Sequence, residues 1–415
     1  MFSAEILSTL LVLLLWSIIT RESSLFLLSL GLLVATGLSV LWERYCLVRV
    51  EYRRRFSRRA AAFGETVELE TEVVNRKLLP LSWLEVDDEI PQTLRPLHGR
   101  VSICHKPGRA YLSWLLAMRP YERVRRRYSF PCETRGEHLF GAVRLRSGDL
   151  FGFSTREAVI PGEDSLVVYP RVVPLAHLGL PARLPLGELR AQSWLFQDVS
   201  RTAGAREYRP GDGLRRIHWP ATARTQQLQT RVYEATTSHR LALFLNVATN
   251  EEEWYSYDYD PDVLEMSITT AASIANWALD QGYQTGLYTN GLHRLSSHRV
   301  VVRPARDPYQ LERILMALGR LQTVSVERLE ELLRGEARSL VLGTTVVVVT
   351  PALLGKATAE VLALRARGHG VALVLTGRKA EGPQLRGVPS WRTGAPESWR
   401  EMETLVAAGG GNGHG

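Results

Sequence analysis

The 415-residue chain has only three cysteines, Cys46, Cys104 and Cys132. They are scattered, with no C-x-x-C or metal-ligand spacing, so they exclude a disulfide framework and read as reduced thiols of a cytosol-facing protein. A G-x-x-x-x-G-K-[ST] loop is absent as well, and with it the phosphate cradle the chain would need to hydrolyse ATP. Net positive charge is scarce outside one segment. Of the formal +8, six charges come from Arg44, Arg49, Arg53, Arg54, Arg55, Arg58 and Arg59 against Glu51. A nucleic-acid binder would carry such charge on its folded domains, so no nucleic-acid partner is expected. What the chain does have is length for two or three domains and a 45% hydrophobic content that can fill their cores.

Two apolar stretches open the chain, Ala4 to Thr20 and Ser24 to Trp42, separated by Arg21 and Glu22. Each spans roughly 25–30 Å as a helix, enough to cross a hydrocarbon core. A cleaved signal peptide would need a basic n-region and a small-residue cleavage site, and a second apolar stretch would not follow at once. The expectation is a two-helix transmembrane hairpin over residues 1–43. A basic juxtamembrane segment over 44–62 keeps both termini in the cytoplasm. That segment either binds anionic lipid headgroups, at about 1 kcal/mol per charge, or only fixes topology.

From 63 to 170 the pattern has period two. Val67, Leu69, Thr71 and Val73 alternate with Glu68, Glu70 and Glu72, and short strands broken by Gly and Pro predict a small β-sandwich. Arg125-Arg126-Arg127 reads as the solvated part of a strand, and Ser147–Phe153 as a turn with aromatic anchors. Residues 171–200, rich in Pro and Leu, read as a connector.

Within 201–400 the apolar strands Leu241–Leu245, Val346–Val349 and Val371–Leu375 alternate with helices expected at Asp262–Asp280, Ser325–Arg334 and Ala352–Arg367. Leu311, Ile314, Leu315 and Leu318 form the stripe of another helix that starts at Asp307-Pro308. Thr285–Tyr288 reads as a short strand ending in a turn at Asn290-Gly291. The sum is an α/β plus β chain whose second part is a doubly wound, mainly parallel sheet. In such sheets ligands sit beyond the carboxyl ends of the strands, here near Asn246–Asp262. Residues 401–415 read as a flexible tail.

The segment GAREYRPGDGLRRIHWPATAR, residues 204–224, has neither strand alternation nor a helical stripe and reads as an ordered polar network. Its Arg206, Glu207, Asp212, Arg215 and Arg224 suit internal salt bridges that lock two domains, or a partner surface. Catalysis is the weakest reading. His218 is the only histidine nearby, and no serine, cysteine or paired carboxylate stands at triad-like spacing with it.

The same segment resembles the signature of the bacterial domain-of-unknown-function family 58, with matches at Gly204, Arg206, Glu207, Tyr208, Pro210, Gly211, Asp212, Arg215, Ile217, Trp219, Ala223 and Arg224. The layout, with Asn75, Trp83-Leu84-Glu85-Val86 and Asp149–Phe153 in the β-domain, is similar too. The resemblance implies a von Willebrand factor A-like α/β domain on a membrane-tethered β-domain, and a MoxR-type AAA+ ATPase as partner.

Domains of the von Willebrand A type often hold a divalent metal through D-x-S-x-S, whose oxygen donors suit Mg²⁺. The corresponding positions are Asn246, Ala248 and Asn250, a degenerate set without a carboxylate, and no metal or other cofactor is expected. Beside them runs an acidic, aromatic loop with Glu251, Glu252, Glu253, Trp254, Tyr257, Asp258 and Asp260. It reads either as a protein-docking loop, with rigid aromatics and steering carboxylates, or as a solvated loop whose Asp260 or Asp262 caps the next helix. The functional expectation is a non-enzymatic adaptor in the bacterial cytoplasmic membrane with its globular domains in the cytoplasm. The alternatives are a metal-dependent adhesion-type module and an uncharacterised hydrolase.

Overall fold

A computed structural model describes residues 2–149, 155–178, 202–209, 217–233, 240–249, 259–293, 298–378 and 385–401. The chain forms two compact units, Met1–Tyr169 and Pro170–Gly415.

The first unit begins with two apolar helices packed on each other, α1 (Phe2–Thr20) and α2 (Ser23–Cys46). Their continuous apolar runs favour a helix that satisfies its own backbone. Of the two, α2 is long and apolar enough to cross a membrane, and Leu27, Leu28 and Leu38 stand exposed on it. Eleven strands follow: β1 (Val50–Phe56), β2 (Ala60–Ala61), β3 (Thr66–Asn75), β4 (Leu81–Pro91), β5 (Arg100–Ile103), β6 (Arg109–Met118), β7 (Arg123–Pro131), β8 (Gly136–Phe140), β9 (Val143–Gly148), β10 (Thr155–Ile160) and β11 (Asp164–Val168). They form sheets of order β1-β3-β7, β10-β9-β4-β6-β5 and β2-β11-β8. Tyr52 and Val73 of the first sheet share a core with Leu84, Val86, Trp114 and Leu145 of the second, the arrangement of a sandwich.

Reading 44–62 as a separate basic segment is corrected here. Its centre is β1, paired in register with β3 from Val50↔Asn75 to Phe56↔Leu69. The alternation VEYRRRF turns Tyr52 and Arg54 inward while Arg53 faces out. Arg54, its side chain 4% exposed, ion-pairs with fully buried Asp88 at 3.0 Å and donates to the Gly141 carbonyl at 2.5 Å. On the outer face Arg125 and Arg127 pair with Glu72 and Glu70 across β3–β7, the solvated strand expected of that arginine run.

The second unit contains β12 (Thr202–Glu207), α3 (Trp219–Thr225), β13 (Gln229–Tyr233), β14 (Arg240–Leu245), α4 (Pro261–Asp280), β15 (Gln284–His293), β16 (Arg299–Ala305), α5 (Gln310–Gly319), β17 (Leu321–Ser325), α6 (Leu329–Glu336), β18 (Thr345–Thr350), α7 (Gly355–Ala366), β19 (Gly370–Leu375) and β20 (Ser390–Arg392). The main sheet has the order β16-β15-β14-β18-β19-β20, with β17 paired to β15. The run from β15 to β20 is parallel, and β16 is an antiparallel edge. Residues of both parities in β14 and β18 are fully buried, so helices cover both faces. On one face Leu332 and Leu333 of α6 and Val361 and Leu364 of α7 pack on Ala242, Phe244, Val346 and Val348.

Several expected boundaries move. The turn expected at Asn290-Gly291 lies inside β15, which runs on to His293. Asn290 is buried there by hydrogen bonds, and Gly291 allows a close approach, since a Cβ would meet Leu321 Cδ1 at 2.8 Å. Ser325, the first residue of the expected helix, ends β17, and α6 starts only at Leu329. The start of the 171–200 connector is held by its own unit: Arg171 Nη1 donates to the Trp399 carbonyl at 2.6 Å, and the Val173 amide donates to Ser273 Oγ at 3.0 Å. Residues 179–200 and 402–415 lie outside the described residues.

Candidate functional site

Among the parallel strands the sequence order is 2-1-3-4-5, and the direction of winding switches between β14 and β18. The carboxyl ends of these two strands are the ligand position of such sheets. β14 delivers Asn246 there and β18 ends at Thr350, while β15 places Asn290 alongside. All three are buried.

Their side chains satisfy one another. Asn246 Oδ1 accepts from the Ala248 amide at 3.0 Å and from Asn290 Nδ2 at 2.8 Å. Asn246 Nδ2 donates to Thr350 Oγ1 at 3.1 Å, and that hydroxyl donates to the Ala352 carbonyl at 2.6 Å. Asn290 Oδ1 accepts from the Val247 amide at 2.9 Å, and Asn290 Nδ2 also donates to the Glu327 carbonyl at 3.1 Å. The network is neutral and closed. Asn246 supplies an amide where a divalent cation needs a carboxylate, and Ala248 supplies no side-chain donor, so these residues do not fit a metal of the D-x-S-x-S type. No group of three or more His, Cys, Asp or Glu able to hold a metal occurs among the described residues. Asn250 lies outside them.

Sequence reasoning found Asn246 but missed Asn290 and the bond between Asn246 and Thr350. The Asn-Gly pair at 290 signals a turn, and nothing local marks a buried amide in a strand.

At the rim, Asp260 is the N-cap of α4. Its Oδ1 accepts from the amides of Asp262 at 3.1 Å and Val263 at 3.3 Å, and its own amide donates to Thr249 Oγ1 at 3.0 Å. Arg378, just past β19, donates to Asp260 Oδ2 at 2.6 Å and also pairs with Glu397. The bond from Arg378, aided by those from the Val263 and Asp262 amides, holds the Asp260 carboxyl below its ordinary range, against the opposing effect of burial. Asp262 accepts from Trp399 Nε1 at 3.1 Å and pairs with Arg400 at 3.2 Å. Gly377 lets the loop after β19 approach the one after β18, since a Cβ there would collide with the Pro351 carbonyl oxygen. Glu251, Glu252, Glu253, Trp254, Tyr257 and Asp258 lie outside the described residues.

The segment at 204–224 proves to have regular structure at both ends. Gly204, Arg206 and Glu207 lie in β12, paired antiparallel with β13, and the Tyr208 amide donates to the Leu228 carbonyl at 2.8 Å. Ile217 is buried and bridges to Thr230. His218 caps α3, its Nδ1 accepting from the Ala221 amide at 3.0 Å, and Pro220 fits the first turn. Arg206, Glu207 and Arg224 are exposed, Trp219 is 64% exposed, and α3 has no buried residue. Leu228–Tyr233 reads as a strand in the sequence, where β13 lies, but β12 and the single short helix α3 carry too little periodicity to be seen there. Pro210, Gly211, Asp212 and Arg215 lie outside the described residues.

Comparison with known proteins is informative for sequence and not for shape. The family described as "Protein of unknown function DUF58" matches residues 204–382. The uncharacterized protein YeaD of Bacillus subtilis (strain 168) is 27% identical over 223 residues, which cover 53% of this chain and 51% of YeaD. The match thus spans about half the length of that relative. Among solved structures, the CARDB domain of the PF1109 protein of Pyrococcus furiosus covers 29% of this chain and 91% of its own, at 12% identity and a TM-score of 0.21. A cohesin module from a family 33 glycoside hydrolase of Clostridium perfringens covers 29% and 96%, at 7% identity and a TM-score of 0.22. Likeness at this level assigns no fold.

Proposed function

We propose that this chain, which belongs to the DUF58 family through residues 204–382, is a membrane-anchored, non-enzymatic adaptor. In this reading α1 and α2 form a hairpin in the bacterial cytoplasmic membrane. The β-sandwich and a von Willebrand factor A-like α/β domain then stand in the cytoplasm, and the latter binds a protein, with a MoxR-type AAA+ ATPase as the candidate. The observation that carries the binding role is the exposure of the family segment. Trp219, Arg206 and Arg224 stand in solvent instead of filling a core, and exposed Trp and Arg are the residues that anchor protein interfaces. The closed neutral network at the switch point supports a site without metal chemistry, and His218 is engaged as a helix cap.

The test is co-purification from native membranes in mild detergent, with the full chain as bait. One variant carries Trp219→Ala with Arg224→Ala, and a second carries a neutral replacement of residues 250–258. Recovery of an AAA+ ATPase by the unaltered chain and its loss in either variant supports the adaptor and locates its surface. Equal recovery by all three removes both surfaces, and no recovery by any removes the proposed partner.

A further inference from the structure

The length of α2 and the way it ends set where a membrane surface would fall. Its 24 residues span about 36 Å, and about 20 of them cross a hydrocarbon core. The exposed side of the helix is apolar through Leu38 and Leu41. It then turns to Arg44 and Tyr45, basic and aromatic residues of the kind that favour an interface. The helix does not reach the sandwich through a free tether. Ser39 Oγ donates to Asp149 Oδ2 at 2.6 Å, Arg156 Nη1 donates to the Arg44 carbonyl at 2.7 Å, and Trp42 and Leu47 pack against the core of Leu84, Val143 and Leu145. The end of the sandwich that receives α2 is thereby held at the level of the boundary.

Two loops far apart in sequence close that same end. Residues 76–80 join β3 to β4 and residues 119–122 join β6 to β7, and the pairs Val50↔Asn75, Val74↔Arg123 and Leu81↔Met118 bring them together. Asn75 Nδ2 donates to the carbonyls of Leu79 and Arg119, each at 3.0 Å, and the Tyr121 amide donates to the Lys77 carbonyl at 3.3 Å. From this braced base Leu78 and Tyr121 project 75% and 68% exposed. Tyr121 is held at a φ of 56°, a left-handed conformation a bulky residue adopts only when its surroundings impose it. At the same end of the strands lie Arg49, Arg76, Arg119 and Arg123, with Arg44 at the close of α2, against Glu43, Glu51 and Glu122 and with Arg123 3.7 Å from Glu72. Arg76 pairs with Glu51 at 2.7 Å and Glu122 accepts from the Arg119 backbone amide at 2.5 Å, so the guanidinium groups of Arg44, Arg49 and Arg119 outnumber the remaining carboxylates Glu43 and Glu122.

We propose that this end of the β-sandwich is an interfacial foot: Leu78 and Tyr121 rest among the headgroups of the bilayer that α2 crosses, and the surrounding arginines bind anionic phospholipid. The foot fixes how the sandwich stands on the membrane. It rests on the reading of α2 as a membrane span, and it places lipid contact on loops 76–80 and 119–122 instead of the arginine run of β1, where Arg54 faces inward.

The experiment uses the full chain with one fluorophore at a time, at Leu78→Cys, Tyr121→Cys, Ile103→Cys or Leu32→Cys. The native cysteines are all buried, which favours labelling of the introduced ones. Ile103 is 94% exposed at the opposite end of the sandwich and serves as control. In vesicles of phosphatidylcholine with and without phosphatidylglycerol, headgroup spin-labelled lipid should quench positions 78 and 121 several-fold more than 103. Binding of phosphatidylglycerol should weaken roughly fivefold for each of Arg76→Ala and Arg119→Ala. Acyl-chain spin label should quench position 32. Quenching at 32 with 78 and 121 no different from 103 overturns the foot and leaves the span standing. Absence of quenching at 32 overturns the span, and the foot with it. Quenching at 78 and 121 that ignores phosphatidylglycerol and both arginine variants overturns the anionic-lipid contact.

Discussion

Each unit buries a polar cluster, and the two are built on opposite terms. In the α/β unit, Asn246, Asn290 and Thr350 meet as neutral groups and satisfy one another. In the β-sandwich, Asp88 is fully buried between the Tyr52 hydroxyl at 2.5 Å and the Arg54 guanidinium at 3.0 Å, with Asp164 3.4 Å from Arg54. Burial pushes the Asp88 carboxyl up to about 6, with Arg54 and Tyr52 pulling it back. The three buried residues at the switch point therefore carry no charge, whereas the buried charge of the sandwich lies in its core with a matched partner. Burial of polar groups marks function only when something is left unsatisfied or reactive. Here both clusters are closed, as polar groups consumed by the fold are.

The largest expected effect breaks the charged side of this contrast. Arg54→Ala leaves Asp88 buried without its guanidinium and should destabilise the sandwich by about 3–5 kcal/mol. Urea titration followed by hydrogen exchange in β4 would read it, and a loss no larger than that of an exposed arginine such as Arg127 would mean water or rearrangement replaces the pair.

Acidity should separate the two units next. The folded value for Asp88 lies above its unfolded one, so its favourable contribution is full below pH ~4 and is lost as pH rises through about 6. The span is on the order of 2–3 kcal/mol. Asp260 runs the other way. Its folded value is lowered, so its contribution is present above the unfolded carboxylate range and lost as pH falls through the folded value. Hydrogen exchange in β4 should therefore accelerate from pH 4 to pH 7, after correction for intrinsic rates, while the first turn of α4 keeps its protection over that range and loses it below pH ~4. Parallel profiles would show that neither carboxyl controls its unit.

Asn246→Asp sharpens the neutral side. It removes the amide that donates to Thr350 and should cost about 1–3 kcal/mol in thermal unfolding. Added Mg²⁺ should not restore the loss, because Ala248 offers no oxygen. Restoration would show that one carboxylate suffices to rebuild a cation site. The smallest effect is at the rim. Asp260→Ala removes the cap of α4, worth about 1 kcal/mol, and Asp260→Asn should keep most of it.

Much of the architecture was legible where periodicity is strong. The two apolar helices, the alternation of β3, the α4 span and the all-valine core of β18 appear close to where pattern alone puts them. The edge strand β16 and the small elements β12 and α3 were not legible. β16 and β12 are strands of seven and six residues, and α3 is a single short helix. Of the candidate site, Asn246 and the capping role open to Asp260 could be read locally. The partnership of Asn246 with Asn290 and Thr350 could not, nor could the inward turn of Arg54 within a run of three arginines.

The sequence by itself determined the segments that obey a local rule: apolar runs that become helices, alternation that becomes strands, a proline and an aspartate that start α4. These follow from backbone geometry within a few residues. Tertiary structure alone decided which polar groups are consumed and which are left to solvent. Asn246 finds its partners 44 and 104 residues away, and Arg54 finds Asp88 34 residues away. A hydrogen-bonding side chain has no preferred fate until the fold brings a matching group within about 3 Å and removes the competing water.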